Sequence, residues 1–508
     1  MVLDLQWLLY FIVLPVLIFS MTTFFVTARK KLPYPPGPKG LPLLGNMFMM
    51  DQLTHRGLAK LSKQHGKNGL MYLRIGFLHM VSISTPEMAR QVLQVQDSIF
   101  SNRPANIAIK YLTYDRADMA FAHYGPFWRQ MRKICVVNLF SRKRSESWVS
   151  VRDEVESMVR FIDSKVGSPV NIGELVFNLM KNIIFRAAFG TNSNEGQDEF
   201  VSIMQEFSKL FGAFNLADFF PGLGWIDPQG LNKRLVKARL SLDRFIDSII
   251  DDHENKMMQN RNGNRDGTLG VEADMVDELL AANKNETSIN LTRDNIKAII
   301  MDVMFGGTET VASVIEWTMA ELMKSPQDLS KVQHELDEVV GVDKRLQEKD
   351  LENLTYLKFA VRETLRLHPP IPLLLHETSE DAEVDGYRIP RGSRVMINVW
   401  AVGRDQNSWE DAETYKPSRF YKEGAADFKG NNFEFLSFGS GRQSCPGMQL
   451  GLYALESAIA HLVHCFSWEL PNGMKPSEMD MMDVFGLTAP RAVRLVAVPS
   501  RRLSCPLL

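Results

Sequence analysis

Within ten residues the chain sets three glycines around one cysteine: Phe438-Gly439-Ser440-Gly441-Arg442-Gln443-Ser444-Cys445-Pro446-Gly447. Glycine reaches backbone conformations closed to other residues, so this segment can curl around a sulfur atom. A helical pattern from about Gln449 to Phe466 follows directly. Cys445 therefore stands at a helix entry, where backbone N–H groups and the helix dipole favour a thiolate. A thiolate held this way suits soft ligation of iron and suits nucleophilic attack equally well. A cysteine hydrolase needs a base, and no histidine lies near Cys445 in sequence, although a base can come from anywhere in a fold. The other cysteines, Cys135, Cys465 and Cys505, form no CxxC pair and no dense framework. That excludes a disulfide-stapled secreted domain.

The N-terminus carries the clearest compositional signal. No residue from Leu5 to Thr27 is charged, which is long enough for a helix to span a bilayer core of roughly 30 Å. Asp4 precedes this run, and Arg29, Lys30 and Lys31 follow it. Positive charge on that side places the rest of the chain in the cytosol. A cleaved signal peptide would show a basic start, a shorter apolar run and a small-residue cleavage site, and none of the three is present. Residues 1–31 are thus expected to be a single-pass anchor in contact with membrane lipid. Residues 32–40 include Pro33-Tyr34-Pro35-Pro36-Gly37-Pro38, a stiff non-helical hinge. Residues 41–508 would form one catalytic body, long enough to bury a large core. A net charge of −2 gives no reason to expect a nucleic-acid partner.

Helical periodicity dominates this body. Short alternating runs at Tyr72–Ile75, Met80–Ile83 and Arg394–Asn398 predict strands, so the fold class is mainly α with a minor β-sheet component. The polar stretch from about Asp252 to Ser288 reads as a mobile surface excursion. A long helix is expected from Thr292, a plausible N-cap, to about Lys324. Its middle holds Gly306-Gly307, where each glycine costs roughly 1 kcal/mol relative to alanine. Either close helix packing or room for a ligand would explain the pair.

Four segments together resemble the cytochrome P450 family. Phe438-x-x-Gly441-x-x-x-Cys445-x-Gly447 is similar to its haem-binding loop, and Trp128-x-x-x-Arg132 to its haem-propionate helix. Gly306-Gly307-Thr308-Glu309-Thr310 is similar to its oxygen-activation groove. Glu363-x-x-Arg366 with Pro417-Ser418-Arg419-Phe420 is similar to its structural triad. The resemblance implies the P450 fold and a haem with Cys445 as axial thiolate. It also implies that Trp128, Arg132, His376, Phe438, Gln443 and Gly447 surround this cofactor. Thr310 would hold a water, and Glu309 would supply protons as a general acid. A mid-helix threonine can instead bond the carbonyl one turn back. The chain departs from the family at Gln443 and His376, where arginine is usual, and at Val311, where Thr or Ser is common.

The stretches Leu53–Gly57, Tyr111–Ala120 and Asp483–Pro490 resemble plant ferulate or coniferaldehyde 5-hydroxylases. That implies a monooxygenase hydroxylating a phenylpropanoid ring at C5 in syringyl lignin synthesis. Electrons would come from NADPH through cytochrome P450 reductase, at the endoplasmic reticulum membrane with the catalytic domain facing the cytosol. The pocket would be built from 105–121, 210–220, 301–310, 369–375 and 483–488. Phe211, Phe214, Phe219, Phe220 and Phe485 would wall it for a small phenolic substrate. Arg103, Lys110 and Arg116 are the cations able to pair with an acidic substrate there. Alternatives are a same-fold monooxygenase for another small aromatic or terpenoid plant metabolite, a peroxide isomerase or dehydratase, a thiol hydrolase, and a haem-bearing membrane scaffold. The Glu309–Thr310 pair favours monooxygenation.

Overall fold

Six helices and four strands position the site: α1 (His55–His65), α2 (Pro126–Ile134), α3 (Ile172–Phe189), α4 (Arg293–Lys324), α5 (Thr355–Leu367) and α6 (Met448–Cys465), with β1 (Leu70–Ile75), β2 (Leu78–Ile83), β3 (Leu373–Glu377) and β4 (Arg394–Asn398). The computed structural model describes residues 32–140, 149–190, 197–211, 213, 215–223, 225, 227, 230–261, 274–283, 291–422 and 424–506. The expected membrane anchor lies outside the described residues.

Helix α4 starts and stops where its sequence dictates. The Asn295 backbone N–H donates to the Thr292 hydroxyl at 3.2 Å, and the Thr292 N–H donates to the Asn295 side chain at 2.9 Å. This reciprocal box satisfies two otherwise orphaned donors. The helix is about 48 Å long at 1.5 Å per residue. Among the described residues it is the one helix long and apolar enough to cross a membrane, yet it is mostly buried inside the protein. It is the axis of the core, packed against α3, α5 and α6.

The sheet has strand order β1-β2-β4-β3. β1 and β2 form an antiparallel hairpin pairing Leu70 with Ile83 and Ile75 with Leu78. β2 and β4 run parallel, and β3 returns antiparallel against β4. The alternating runs predicted as strands are all in this sheet. The proline-rich hinge docks on it. Tyr34 stacks on Tyr72 at 4.9 Å, and the Tyr72 N–H donates to the Pro36 carbonyl at 2.9 Å.

Part of the polar stretch expected as an excursion is helical, and the rest lies outside the described residues. Helix Leu231–Arg261 runs into it, and Met275–Asn283 forms a further helix. Met275, Val276, Leu279 and Leu280 recur at helical spacing and are buried in the main core. Composition averaged over the stretch hid that stripe.

One ion network fastens the far end of the core. Glu363 on α5 is fully buried and accepts from Arg366 Nε and Nη2, both at 2.8 Å, and from Arg419 Nε at 2.9 Å. Arg366 Nη1 donates to the carbonyls of Gly403 and Ala412 at 2.6 Å each. Every polar group is satisfied, so the pair ties three segments together. Removing the carboxylate would leave buried guanidinium charge uncompensated. Glu363→Ala should therefore lose about 3–5 kcal/mol in chemical denaturation. A loss under about 1 kcal/mol would show that water replaces the carboxylate.

Candidate active site

The cysteine loop curls as its glycines allow. Gly439 and Gly441 adopt φ of +71° and +67°. A Cβ on Gly441 would lie 2.6 Å from the Leu93 carbonyl oxygen, so no side chain fits there. The Cys445 N–H donates to the Phe438 carbonyl at 2.8 Å, closing the loop. Phe438 packs edge-on against Phe428 at 5.2 Å. Helix α6 begins three residues beyond Cys445, with Gly447 at its N-cap. The thiol opens on a cavity of about 450 Å³ lined by Arg132, Val136, Val137, Phe140, Pro446, Met448 and Gln449. Burial pushes the thiol up, against the opposing pull of the Gly447 N–H and the Arg132 charge. Metal coordination would deprotonate the thiol outright. Among the described residues no histidine or carboxylate bonds the Cys445 thiol, so the hydrolase reading lacks its base.

Positive charge gathers beside this loop without an anion to meet it. Arg103 Nη2 donates to the Gln443 carbonyl at 3.1 Å and Nη1 to the Leu375 carbonyl at 2.5 Å. Burial pushes Arg103 down to about 10, and repulsion from Arg132 adds to it. Arg132 Nη2 donates to the Ser444 hydroxyl at 3.0 Å, and its guanidinium lies 5.4 Å over the Trp128 ring. Neither arginine has a carboxylate partner among the described residues. The Trp128 indole N–H is spent on the Met119 carbonyl at 3.1 Å, so Trp128 supports Arg132 rather than offering a free donor. The Gln443 amide likewise donates to the Ser101 carbonyl at 2.7 Å. His376 is buried, and its Nδ1 donates to the Phe100 carbonyl at 2.8 Å. Burial, then the Arg103 charge, pushes His376 down to about 3, so its ring is neutral and Nε2 is an acceptor.

Across from the loop, the two glycines of α4 divide the expected roles. A Cβ on Gly307 would come within 2.6 Å of Ile184 Cδ1, so this glycine permits the close crossing of α3. A Cβ on Gly306 would meet nothing within 4 Å, so this one borders open space. The helix continues through both without a break. Gly306 is exposed and residues 309–311 are half-buried, although the helix is buried beyond them. Val311 faces Gly451 of α6, where an added Cβ would lie 3.6 Å away. The Thr310 hydroxyl donates to the Gly306 carbonyl one turn back. Glu309 has no hydrogen-bond or ion-pair partner among the described residues.

A thiol at a helix entry, unmatched cations beside it and a long helix with open space at Gly306 form a recognisable combination. The family model described as Cytochrome P450 matches residues 35–495. The chain belongs to the cytochrome P450 family. Cytochrome P450 84A1 of Arabidopsis thaliana is 66% identical over 494 residues, covering 95% of this chain and 94% of that protein. Cytochrome P450 84A4 of the same plant is 56% identical, covering 98% of each chain. Flavonoid 3'-monooxygenase of Petunia hybrida is 37% identical, again with 98% coverage of each. A zebra fish cytochrome P450 solved with progesterone shares the fold at TM-score 0.74 and 24% identity, covering 88% of this chain and 99% of that one.

This P450 is an O2-dependent monooxygenase with a haem-thiolate cofactor. Its residues fit that cofactor on an independent ground. Two half-buried guanidiniums without carboxylate partners among the described residues would suit anions, and haem carries two propionates. Arg103 and Arg132 are placed to meet them. A propionate would also favour a second proton on His376, turning its Nε2 into a donor. Sequence reading considered Arg103 only as a partner for an acidic substrate. Its signal, Ser101-Asn102-Arg103-Pro104 just past a short helix, names no partner without the fold.

The pocket segments meet only in part. Phe211 lies 5.4 Å from Phe305 and 6.4 Å from Phe121, with Phe207 at 6.0 Å from Phe305. This aromatic cluster sits beside Gly306. Phe219 packs instead with Met49, Leu58 and Leu73, Phe220 with Phe77, and Phe485 with His55. Phe214 lies outside the described residues. Asp302 accepts from the N–H groups of Met119 and Ala120 at 2.9 and 3.0 Å and hydrogen bonds Asp118. Burial holds both carboxyls up, Asp302 to about 7.

Arg103→Leu should keep the fold but lower haem retention, read as the Soret-to-protein absorbance ratio after dialysis against apomyoglobin. Retention equal to the parent enzyme would show that Arg103 only ties backbone carbonyls together.

Proposed function

We propose that this P450 hydroxylates C5 of a phenylpropanoid ring, acting on coniferaldehyde, coniferyl alcohol or ferulate in syringyl lignin synthesis. The observation that carries this reading is the cluster of Phe121, Phe207, Phe211 and Phe305 bordering the opening at Gly306. Flat aromatic walls favour a flat aromatic guest through offset and edge contacts. The 37% identical relative named flavonoid 3'-monooxygenase supports a phenolic substrate on the same scaffold. Electrons come from NADPH through the membrane-bound reductase. Residues 1–31 anchor the chain in the endoplasmic reticulum membrane, 32–40 set its angle, and 41–508 carry the reaction on the cytosolic side.

When bound, haem with an axial thiolate supplies oxygen activation, the electron push that favours O–O cleavage in P450s generally. The chain's own residues set the conditions. Cys445 ligates through its sulfur, with the Gly447 N–H directed at that atom. Arg132 and Arg103 hold the cofactor's carboxylates. Thr310 keeps its hydroxyl hydrogen on the Gly306 carbonyl, leaving its lone pairs to accept from a water in the opening. Glu309 refills that water with a proton.

The pocket's charge favours neutral substrates. Arg103 is given to the cofactor's carboxylates in this reading, Lys110 pairs with Asp115 at the surface, and Arg116 contacts His123. Asp118 and Asp302 add no positive charge for an anion to meet. Unrecovered desolvation of about 2–3 kcal/mol would weaken ferulate roughly 30- to 150-fold. In spectral titrations of the ferric enzyme at pH 7, coniferaldehyde and coniferyl alcohol should bind more tightly than ferulate. Turnover with NADPH and reductase should give the 5-hydroxylated product. No product from any of the three would overturn the substrate reading, and tighter binding of ferulate would overturn the charge argument.

A further inference from the structure

Three side chains that the reaction leaves unused meet where helix Leu231–Arg261 approaches the start of helix Met275–Asn283. His253, Asp274 and Asp277 each offer one ligand atom, and these atoms all lie within 4.8 Å of one another. The His253 and Asp274 side chains are only 6% and 9% exposed, so water does little to screen their charge. The donor set is one imidazole nitrogen and two carboxylate oxygens.

The imidazole is committed at one end. A carbonyl can only accept, so His253 Nδ1 donates to the Ile249 carbonyl at 2.7 Å. Its Nε2 then faces Asp274 Oδ2, also at 2.7 Å. In the neutral ring that contact sets two lone pairs face to face, so a cation must stand between them, either a proton or a metal ion. A histidine that ligates a metal through one nitrogen ordinarily donates through the other to a carbonyl or carboxylate, which is the arrangement at His253. The carboxylates are held by a reciprocal cap that uses one oxygen of each. The Asp277 N–H donates to Asp274 Oδ1 at 2.9 Å and the Asp274 N–H to Asp277 Oδ2 at 3.3 Å. The cap leaves Asp274 Oδ2 and Asp277 Oδ1 for another partner. Gly190 gives the first of these its room. It ends α3 at φ +62°, and a Cβ there would lie 2.5 Å from Asp274 Oδ2.

Charge decides between proton and metal. A proton on His253 balances one carboxylate and leaves the other unbalanced. Among the described residues no lysine or arginine hydrogen bonds or ion-pairs with Asp274 or Asp277. A divalent ion beside a neutral His253 balances both. One imidazole and two carboxylates suit zinc, with water in a fourth position, whereas calcium and magnesium prefer oxygen alone. On a tetrahedral zinc with bonds of about 2.0–2.1 Å, the nitrogen and oxygen would stand about 3.3 Å apart. The Asp274 carboxylate reaches that spacing by swinging about half an ångström.

We propose that His253, Asp274 and Asp277 form a structural zinc site that clips the end of helix Leu231–Arg261 to the start of helix Met275–Asn283. The second helix buries Met275, Val276, Leu279 and Leu280 in the main core, where it packs against α3 and α4. Fixing its first turn therefore fixes this side of the core. The inference does not depend on the substrate.

The test uses the untagged full-length holoenzyme beside His253→Ala and Asp277→Asn. Asparagine at 277 keeps an oxygen for the Asp274 N–H and removes one ligand charge, so this variant folds even if His253→Ala does not. Each protein is dialysed to equilibrium against Zn2+ and its metals are counted, with haem iron as the count of chains. The parent should hold one zinc per iron, with a dissociation constant below roughly 1 μM. Asp277→Asn should bind at least roughly tenfold more weakly, with an unchanged haem spectrum. Excess zinc should raise the thermal midpoint of the parent by about 2–3 °C and leave that of His253→Ala where it was. Calcium in place of zinc should do neither. A parent that binds no zinc overturns the proposal and leaves His253 as a protonated partner of Asp274. Equal zinc affinity in the parent and either variant places the ion elsewhere and also overturns it.

Discussion

Two half-buried arginines, without carboxylate partners among the described residues, shape what this protein can hold. Arg103 and Arg132 repel each other across the space beside Cys445, and burial disfavours the charge on both. Protein interiors do not keep such charges uncompensated without a ligand or a metal. The surrounding backbone has adapted to them. Carbonyls of Leu375 and Gln443 accept from Arg103, while Trp128 and Ser444 steady Arg132. In the proposed holoenzyme, haem would bring two propionates to that imbalance and an iron to the Cys445 sulfur. Cofactor and chain thus complete each other electrostatically.

The same logic explains the departures from the family pattern. Gln443 stands where arginine is usual, and its amide is committed to the Ser101 carbonyl. Its own carbonyl then accepts from Arg103. Position 443 carries no charge, and the nearby positive charge is that of Arg103, held on a different segment. His376 complements this, because its protonation depends on whether an anion lies beside it. Asp118 and Asp302 show the opposite use of burial. Burial keeps both carboxyls up, and Asp302 fastens the loop at Met119 and Ala120 to α4.

Local chemistry made some features legible in sequence, while long-range pairing hid others. The Cys445 loop was readable because its glycines, its cysteine and its helix entry lie within ten residues. Thr292 and Lys324 bound α4 through capping rules that act over a few positions. The β1, β2 and β4 strands followed from alternation. The triad of Glu363, Arg366 and Arg419 was legible only through family resemblance, since Glu363 and Arg366 alone form an ordinary helical pair. The partnership of Arg103 with Gln443 joins residues 340 apart, and no local pattern encodes it. For the same reason Phe219 and Phe220, expected in the pocket wall, were misplaced. They lie in the cluster under the sheet because the short helix Leu216–Phe219 turns toward β1 and α1. Sequence also could not divide Gly306 from Gly307. Only the crossing of α3 shows that one permits packing and the other leaves space.

Everything here depends on Cys445 as the iron's axial ligand, so the most direct test exchanges its sulfur for oxygen. Serine keeps the size and the backbone hydrogen bond to Phe438 but offers a harder, far more basic donor. The measurement is the absorption spectrum of the reduced carbon-monoxide complex of Cys445→Ser, taken beside the parent protein. The account predicts that the parent shows the long-wavelength band of a thiolate-ligated haem and that the variant loses it. A variant that keeps this band would place the ligand elsewhere and contradict the account.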